Sequence, residues 1–340
     1  MRLANTMKSR DTHSIDTRRR CVAAGLGLPA LAWTGALRAQ SNAQLVIGWL
    51  FPVNRGDGAA ARAFNDSMAL LGWKLGSHYA LEERYADGHV DRLPALAQDI
   101  AAKRPVVIVV YTATSARAAA AAAPTTPIVI AVGDPLSAGL VTNLARPGGM
   151  ITGLSNVSSE LNLKLVELLV EAVPKIKRIG FLADSTSTYH AAVVSSARRA
   201  AEHLRVEAVI ADLARPEDID GAMARLAKGK VQALILLASV WIGTFQPKII
   251  GLAQAQRWPV VGTASRTPRL GGLFSYGADQ GAMIRRAAYY VDRILKGAKP
   301  GDLPIEQPTT FELVLNLKTA KQLGITMPQS ILIRATEVIE

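Results

Sequence analysis

The feature that most constrains this chain is a repeated alternation of short, unbroken apolar runs with longer amphipathic stretches. Leu45-Val46-Ile47-Gly48-Trp49-Leu50-Phe51 is apolar throughout and stops at Pro52. That is the pattern of a strand buried on both faces, because a half-solvated strand alternates apolar and polar residues. A helical pattern follows from about Gly58 to Leu71, then a strand at 78–84, a helix at 90–103, a strand at 106–111, an alanine-rich helix at 113–123 and a strand at 128–132. The second half repeats the scheme, with helices at 160–173, 189–204, 216–228 and 244–257 and strands at 178–183, 206–211, 233–237 and 260–261. Strands joined through helices pair in parallel, so the reading is an α/β chain with two parallel, doubly wound sheets. A length of 340 residues fits about two domains at roughly 150 residues each. The turn-rich joint Arg146-Pro147-Gly148-Gly149-Met150-Ile151-Thr152-Gly153 reads as the entry to a hinge between them.

The first 39 residues read as an export address. Arg18-Arg19-Arg20 precedes a run of 17 residues, Cys21 to Leu37, that carries no charge, and Arg38-Ala39-Gln40 follows. This is the order of basic region, apolar region and small-residue cleavage site found in secretory signals. The run is short of the roughly 20 apolar residues that span a bilayer and is broken by glycine and proline. Removal near Ala39 and a periplasmic location are expected. The paired arginines leave both the Sec and the twin-arginine routes open. The same segment explains much of the charge, because it holds seven basic residues against two acidic ones in a chain of net charge +12. It also holds the sole cysteine, Cys21, so the exported chain has no disulfide framework and no thiol chemistry. An aromatic content of 5% and the lack of a DNA-binding headpiece speak against nucleic acid as a partner.

Ligands of open α/β sheets bind outside the carboxyl ends of the strands. Four such ends carry small or polar clusters: Tyr111-Thr112-Ala113-Thr114-Ser115, Gly133-Asp134-Pro135, Asp184-Ser185-Thr186-Ser187-Thr188 and Ala238-Ser239-Val240-Trp241. Thr112 or Thr114 can cap the alanine-rich helix or, with its free N–H groups, hold a carboxylate. Asp134 can close an Asx turn or accept from an ammonium or hydroxyl of a ligand. Both alternatives stay open for each residue. The signatures of serine hydrolases, zinc proteases, P-loop enzymes and kinases are missing, and no histidine sits beside an obvious nucleophile at a strand end. An enzyme is therefore not expected, nor is a cofactor or a metal.

Two stretches carry a resemblance. Gly133-Asp134-Pro135-Leu136-Ser137-Ala138-Gly139-Leu140-Val141, Leu144-Ala145-Arg146-Pro147-Gly148-Gly149 and Thr152-Gly153-Leu154-Ser155 form one; Tyr289 to Asp302, Leu303 to Pro308 and Phe311 to Lys321 form the other. Together they resemble one family of ABC-transporter substrate-binding proteins, some of whose members bind tryptophan or phenylalanine. The resemblance implies the type I periplasmic-binding-protein fold: two Rossmann-like lobes joined by three crossovers. It places 44–155 plus about 277–309 in lobe 1, and 156–276 plus about 310–340 in lobe 2. By the motif positions it points to Thr112 to Ser115, Asp134 and Ser275-Tyr276-Gly277. The chain departs from the family pattern at Asp184-Ser185, where Asn-Pro is frequent, and at Ala238-Ser239, where polar residues are.

The expected role is the solute-binding component of an ABC importer, capturing an amino acid or related carboxylate by lobe closure. The expected partner is a permease in the inner membrane, and the expected state is a monomer. A solute sensor presenting its ligand to a membrane receptor is the alternative. Thr112, Thr114 and Ser115 would hold an acid group and Asp134 an amine or hydroxyl. Phe51 or Tyr276 would meet an apolar or ring portion, with Asp184, Ser185 and Ser239 contributing from the second lobe.

Overall fold

Apolar runs become strands here because helices cover both of their faces. In the computed structural model, which describes residues 44–340 apart from 57, 157 and 188, the expected signal segment 1–39 lies outside the described residues. β1 (Leu45–Phe51), β2 (Tyr79–Tyr85), β3 (Val107–Val110), β4 (Ile128–Ile130) and β5 (Ile151–Gly153) form one sheet in the order β2-β1-β3-β4-β5, parallel throughout. The intervening helices are α1 (Ala59–Leu70), α2 (Leu93–Ala102) and α3 (Ala113–Ala122). The two-residue period of β1 sends Ile47, Trp49 and Phe51 to one face, with Phe64 and Met68 of α1, and Leu50 to the other, with Leu93 and Ile100 of α2.

The second sheet follows α4 (Ser158–Ala172). Its first five strands are β6 (Arg178–Asp184), β7 (Glu207–Leu213), β8 (Ala233–Leu236), β9 (Val260–Gly262) and β10 (Phe274–Ala278). They take the order β7-β6-β8-β9-β10, the same winding as the first sheet. Around them run α5 (His190–His203), α6 (Ile219–Lys228), α7 (Val240–Thr244), α8 (Gln246–Ala255) and the single turn α9 (Arg266–Arg269). The helix expected at 244–257 is thus two helices, broken at Phe245; Pro247, which has no N–H to donate, sits in the first turn of α8.

After β10 the chain leaves this sheet. α10 (Gln280–Leu295) packs against α1 and against β3, β4 and β5 of the first sheet. Its buried face, Met283, Ile284, Ala287, Ala288 and Val291, completes the core around Trp49. The chain then returns as β11 (Phe311–Asn316), α11 (Leu317–Leu323), α12 (Gln329–Leu332) and β12 (Glu337–Ile339). Among the described strands the sheets are parallel as expected except for one pair, β11 running antiparallel to β10. The reason is topological: with α10 on the other lobe, no helix crosses over the second sheet between β10 and β11, so the chain re-enters from the opposite end.

Three crossings join the lobes: one after β5, one between β10 and α10, and one through Glu306 before β11. The first and third lie side by side, since Ser155 N donates to Glu306 O at 2.8 Å and Glu306 N to Gly153 O at 3.0 Å. The expected hinge stretch at 146–153 ends in β5, an edge strand, so the crossing itself begins only after Gly153. Glu306 is held by Arg286 of α10 through two bonds of 2.7 and 2.9 Å, and these hold its carboxyl below the usual carboxylate range. A carboxylate depressed in the folded state stabilises the fold above its unfolded value of about 4.3, and that contribution is lost as pH falls through the lower folded value. Both side chains are partly exposed, so Glu306→Gln should cost about 0.5–1 kcal/mol at pH 7. Denaturant titrations of variant and wild type should converge by pH ~3; a difference independent of pH would contradict the assignment.

Candidate functional site

Both sheets share the winding 2-1-3-4-5, whose switch points lie between the first and third strands of that order, β1 and β3 in one lobe and β6 and β8 in the other. There, helices leave to opposite faces of the sheet and a crevice opens at the strand ends. The two crevices meet in one cavity of about 220 Å³. Lobe 1 contributes Val53 and Asn54 after β1, Tyr111 to Ala113 after β3, Val132 to Asp134 after β4, and Asn156 and Gln280 from the crossings. Lobe 2 contributes Tyr189 after β6, Leu236 to Ser239 with Ile242, Gly243 and Gln246 after β8, and Thr263, Ala264 and Arg266 after β9.

Thr112 and Asp134 sit where strand meets helix. Thr112 is the N-cap of α3, its Oγ1 accepting from Ser115 N at 3.4 Å, so capping occupies it while it also faces the cavity. The N–H groups of Ala113 and Thr114 belong to the donors that a helix start leaves over. Asp134 is buried; Oδ1 accepts from Ser137 N at 3.0 Å in a turn closed on Pro135. The capping and Asx-turn alternatives are therefore both realised, and Oδ2 of Asp134 makes no bond among the described residues. Gly133 allows the close approach: a Cβ there would stand 3.0 Å from Ala113 N and 2.9 Å from Ile130 Cγ2.

Ser239 lies on the wall but is engaged twice, donating to Asp184 Oδ2 at 2.9 Å and accepting from Ile242 N at 3.3 Å as the cap of α7. Asp184 sits behind the wall beside Tyr189, where its other oxygen accepts from Thr186 N and Oγ1 at 2.9 and 2.6 Å. These two residues tie the ends of β6 and β8 together. Six expected positions fall off the cavity: Asp184 behind the wall and five others. Phe51 is buried, stacked on Trp49 at 4.0 Å, because it shares the core face of β1. Thr114 points into the groove between α2 and α3, and Ser115 is fully buried against Thr112. Ser185 turns to Leu213 O, and Tyr276 stacks on Phe311 at 5.8 Å.

The cavity also takes in Tyr111, which the sequence placed at a strand end without a role, and Tyr189, Gln246 and Arg266, which strand-end polarity did not single out. Burial pushes the phenols of Tyr111 and Tyr189 up to about 12, so both are neutral at pH 7. Tyr111 Oη donates to Gln280 Oε1 at 2.8 Å. The charge of Arg266 opposes the rise at Tyr111, and Asp184 and then Asp134 add to it at Tyr189, which places a cation near one ring and two carboxylates near the other. The Arg266 guanidinium forms no ion pair or hydrogen bond among the described residues, whereas its neighbour Arg269 pairs with Glu337. A signal for Arg266 was present: no acidic residue lies within four positions of it. Among the described residues no cluster of histidine, cysteine and carboxylate side chains could hold a metal ion.

The profile of the ABC transporter substrate binding protein family matches residues 56–339. The chain belongs to that family. It is 26% identical over 268 residues to a tyrosine-binding protein of Clostridioides difficile, covering 78% of this chain and 76% of that one. A crystal structure of a conserved domain protein from Vibrio cholerae superposes with a TM-score of 0.82 at 27% identity, covering 87% of this chain and 99% of the other. An ABC domain from Streptococcus pneumonia in complex with L-Trp gives 0.81 at 26% identity, covering 87% and 100%. The two lobes are those of a type I periplasmic binding protein, and the turn at Gly133-Asp134 shapes the lobe 1 wall.

Proposed function

We propose that this protein is the extracytoplasmic receptor of an ABC importer and captures an aromatic α-amino acid by closing its lobes. The observation that carries the reading is the cavity's charge layout. It presents a buried carboxylate, Asp134, on lobe 1 and an unpaired guanidinium, Arg266, on lobe 2, with neutral tyrosine rings on both walls. A zwitterion matches both charges: its ammonium goes to Asp134, its carboxylate to the start of α3 and to Arg266, and its side chain lies against Tyr189, Leu237 and Ile242. Support comes from the relatives described as tyrosine-binding and as complexed with L-Trp.

Contacts from lobe 2 exist in full only when the lobes are closed, so ligand shifts the population toward the closed form by its difference in affinity for the two. A permease of the inner membrane then takes the closed monomer, and residues 1–39 direct export to the periplasm. Isothermal titration with a panel of the twenty amino acids tests this: heat is expected from the aromatic members and no turnover of the bound solute. Binding confined to sugars, or chemical conversion of the ligand, would sink the proposal.

Arg266 is exposed and holds no other part of the fold, so Arg266→Ala separates binding from stability. Affinity should fall about 10- to 100-fold, the loss of one charge-assisted contact. The melting temperature should stay within about 1 °C, as for surface substitutions without partners.

A further inference from the structure

We infer that Gln246 distinguishes a ring-hydroxylated ligand from an unsubstituted one, an assignment that rests on the aromatic amino-acid reading above. Gln246 opens α8, lines the cavity, and is only 5% exposed. Its Oε1 takes the hydroxyl of Thr267 at 3.3 Å, and Thr267 is itself fully buried. That bond fixes one end of the carboxamide. The other end, Nε2, finds no acceptor among the described residues and is not sealed off from the cavity, so it is free to bond a ligand group.

The charged groups of an amino acid already have partners in Asp134, the start of α3 and Arg266. Gln246 enters from lobe 2 about one helical turn beyond Ile242 and Gly243, beside the apolar surface that receives the side chain. An aromatic amino acid offers one hydrogen-bonding group at the far end of its ring, the phenol hydroxyl. A phenol both donates and accepts, so the pairing holds for either orientation of the carboxamide. The discrimination is asymmetric: a site built to bond a hydroxyl rejects the ligand lacking it far more strongly than an apolar site rejects the extra hydroxyl.

The test is titration of the full chain, as wild type, Gln246→Met and Gln246→Glu, with L-tyrosine and L-phenylalanine. Wild type should bind tyrosine at least about tenfold tighter. Gln246→Met should erase that ratio through lost tyrosine affinity, with phenylalanine unchanged or improved. Gln246→Glu, whose carboxylate can accept the phenol hydrogen, should keep the preference, and it carries the test if the methionine variant fails to fold. Equal wild-type affinities, or a parallel loss of both ligands in either variant, would overturn the assignment alone. A wild-type protein that binds no aromatic amino acid would overturn it together with the proposed function.

Discussion

Asp134→Asn should weaken binding of an aromatic amino acid by about 30- to 1,000-fold, or roughly 2–4 kcal/mol, while leaving the fold almost untouched. The two halves of that expectation come from the two oxygens of one carboxylate. Oδ1 closes the turn by accepting from Ser137 N, and an asparagine carbonyl performs that task nearly as well. The negative charge is what asparagine removes, and it sits in a buried wall near the neutral phenol of Tyr189 where water screens it weakly. Asp134→Ala would lose the turn as well and confuse the two effects. Isothermal titration for affinity and thermal melting for stability read them apart. A fall in melting temperature of several degrees with affinity preserved would assign Asp134 to the turn alone.

The largest loss of stability is expected for Gly153→Ala, at least about 3 kcal/mol, or a drop in melting temperature of about 6 °C or more. Gly153 ends β5 at φ +125°, a conformation that side chains rarely adopt. A Cβ there would stand 2.2 Å from Ile130 O and 2.6 Å from Ile130 N, in the backbone of the neighbouring strand β4. Neither the strain nor the clash can relax without parting β4 from β5. The same residue accepts from Glu306 N, so the disturbance reaches the paired crossings between the lobes. Ligand affinity should fall along with stability, because Asp134 lies on the loop that leaves β4. A variant that melts within about 2 °C of wild type would contradict this placement of the strand edge.

The strands that can be read from the sequence are those covered on both faces. β1, β3, β4, β6 and β8 appear as unbroken apolar runs because helices lie on either side of them. β5 hides inside a glycine-rich stretch of three ordered residues, and β10 mixes Ser275 and Gly277 with its apolar residues. The direction of β11 depends on which lobe receives α10, and a helix with a strong apolar face reads the same whichever sheet it covers.

In the site, Thr112, Asp134 and Ser239 were legible because a polar residue directly after an apolar run marks a strand end. Phe51 was misplaced although its own strand held the answer, since alternation puts it on the side of Ile47 and Trp49. Tyr111, Tyr189, Gln246 and Arg266 reach the cavity through the meeting of two lobes. That meeting depends on pairings more than a hundred residues apart, which local pattern does not encode.

The central claim is that one cavity recognises both charges of an amino acid and an aromatic side chain together. Equilibrium titration of wild-type protein with L-tyrosine, N-acetyl-L-tyrosine and L-tyrosine methyl ester tests it most directly. The free amino acid should bind tightly and each blocked form should lose about 100-fold or more, because the acetyl group removes the charge that meets Asp134 and the ester removes the charge that meets Arg266. Equal affinity for all three would contradict it.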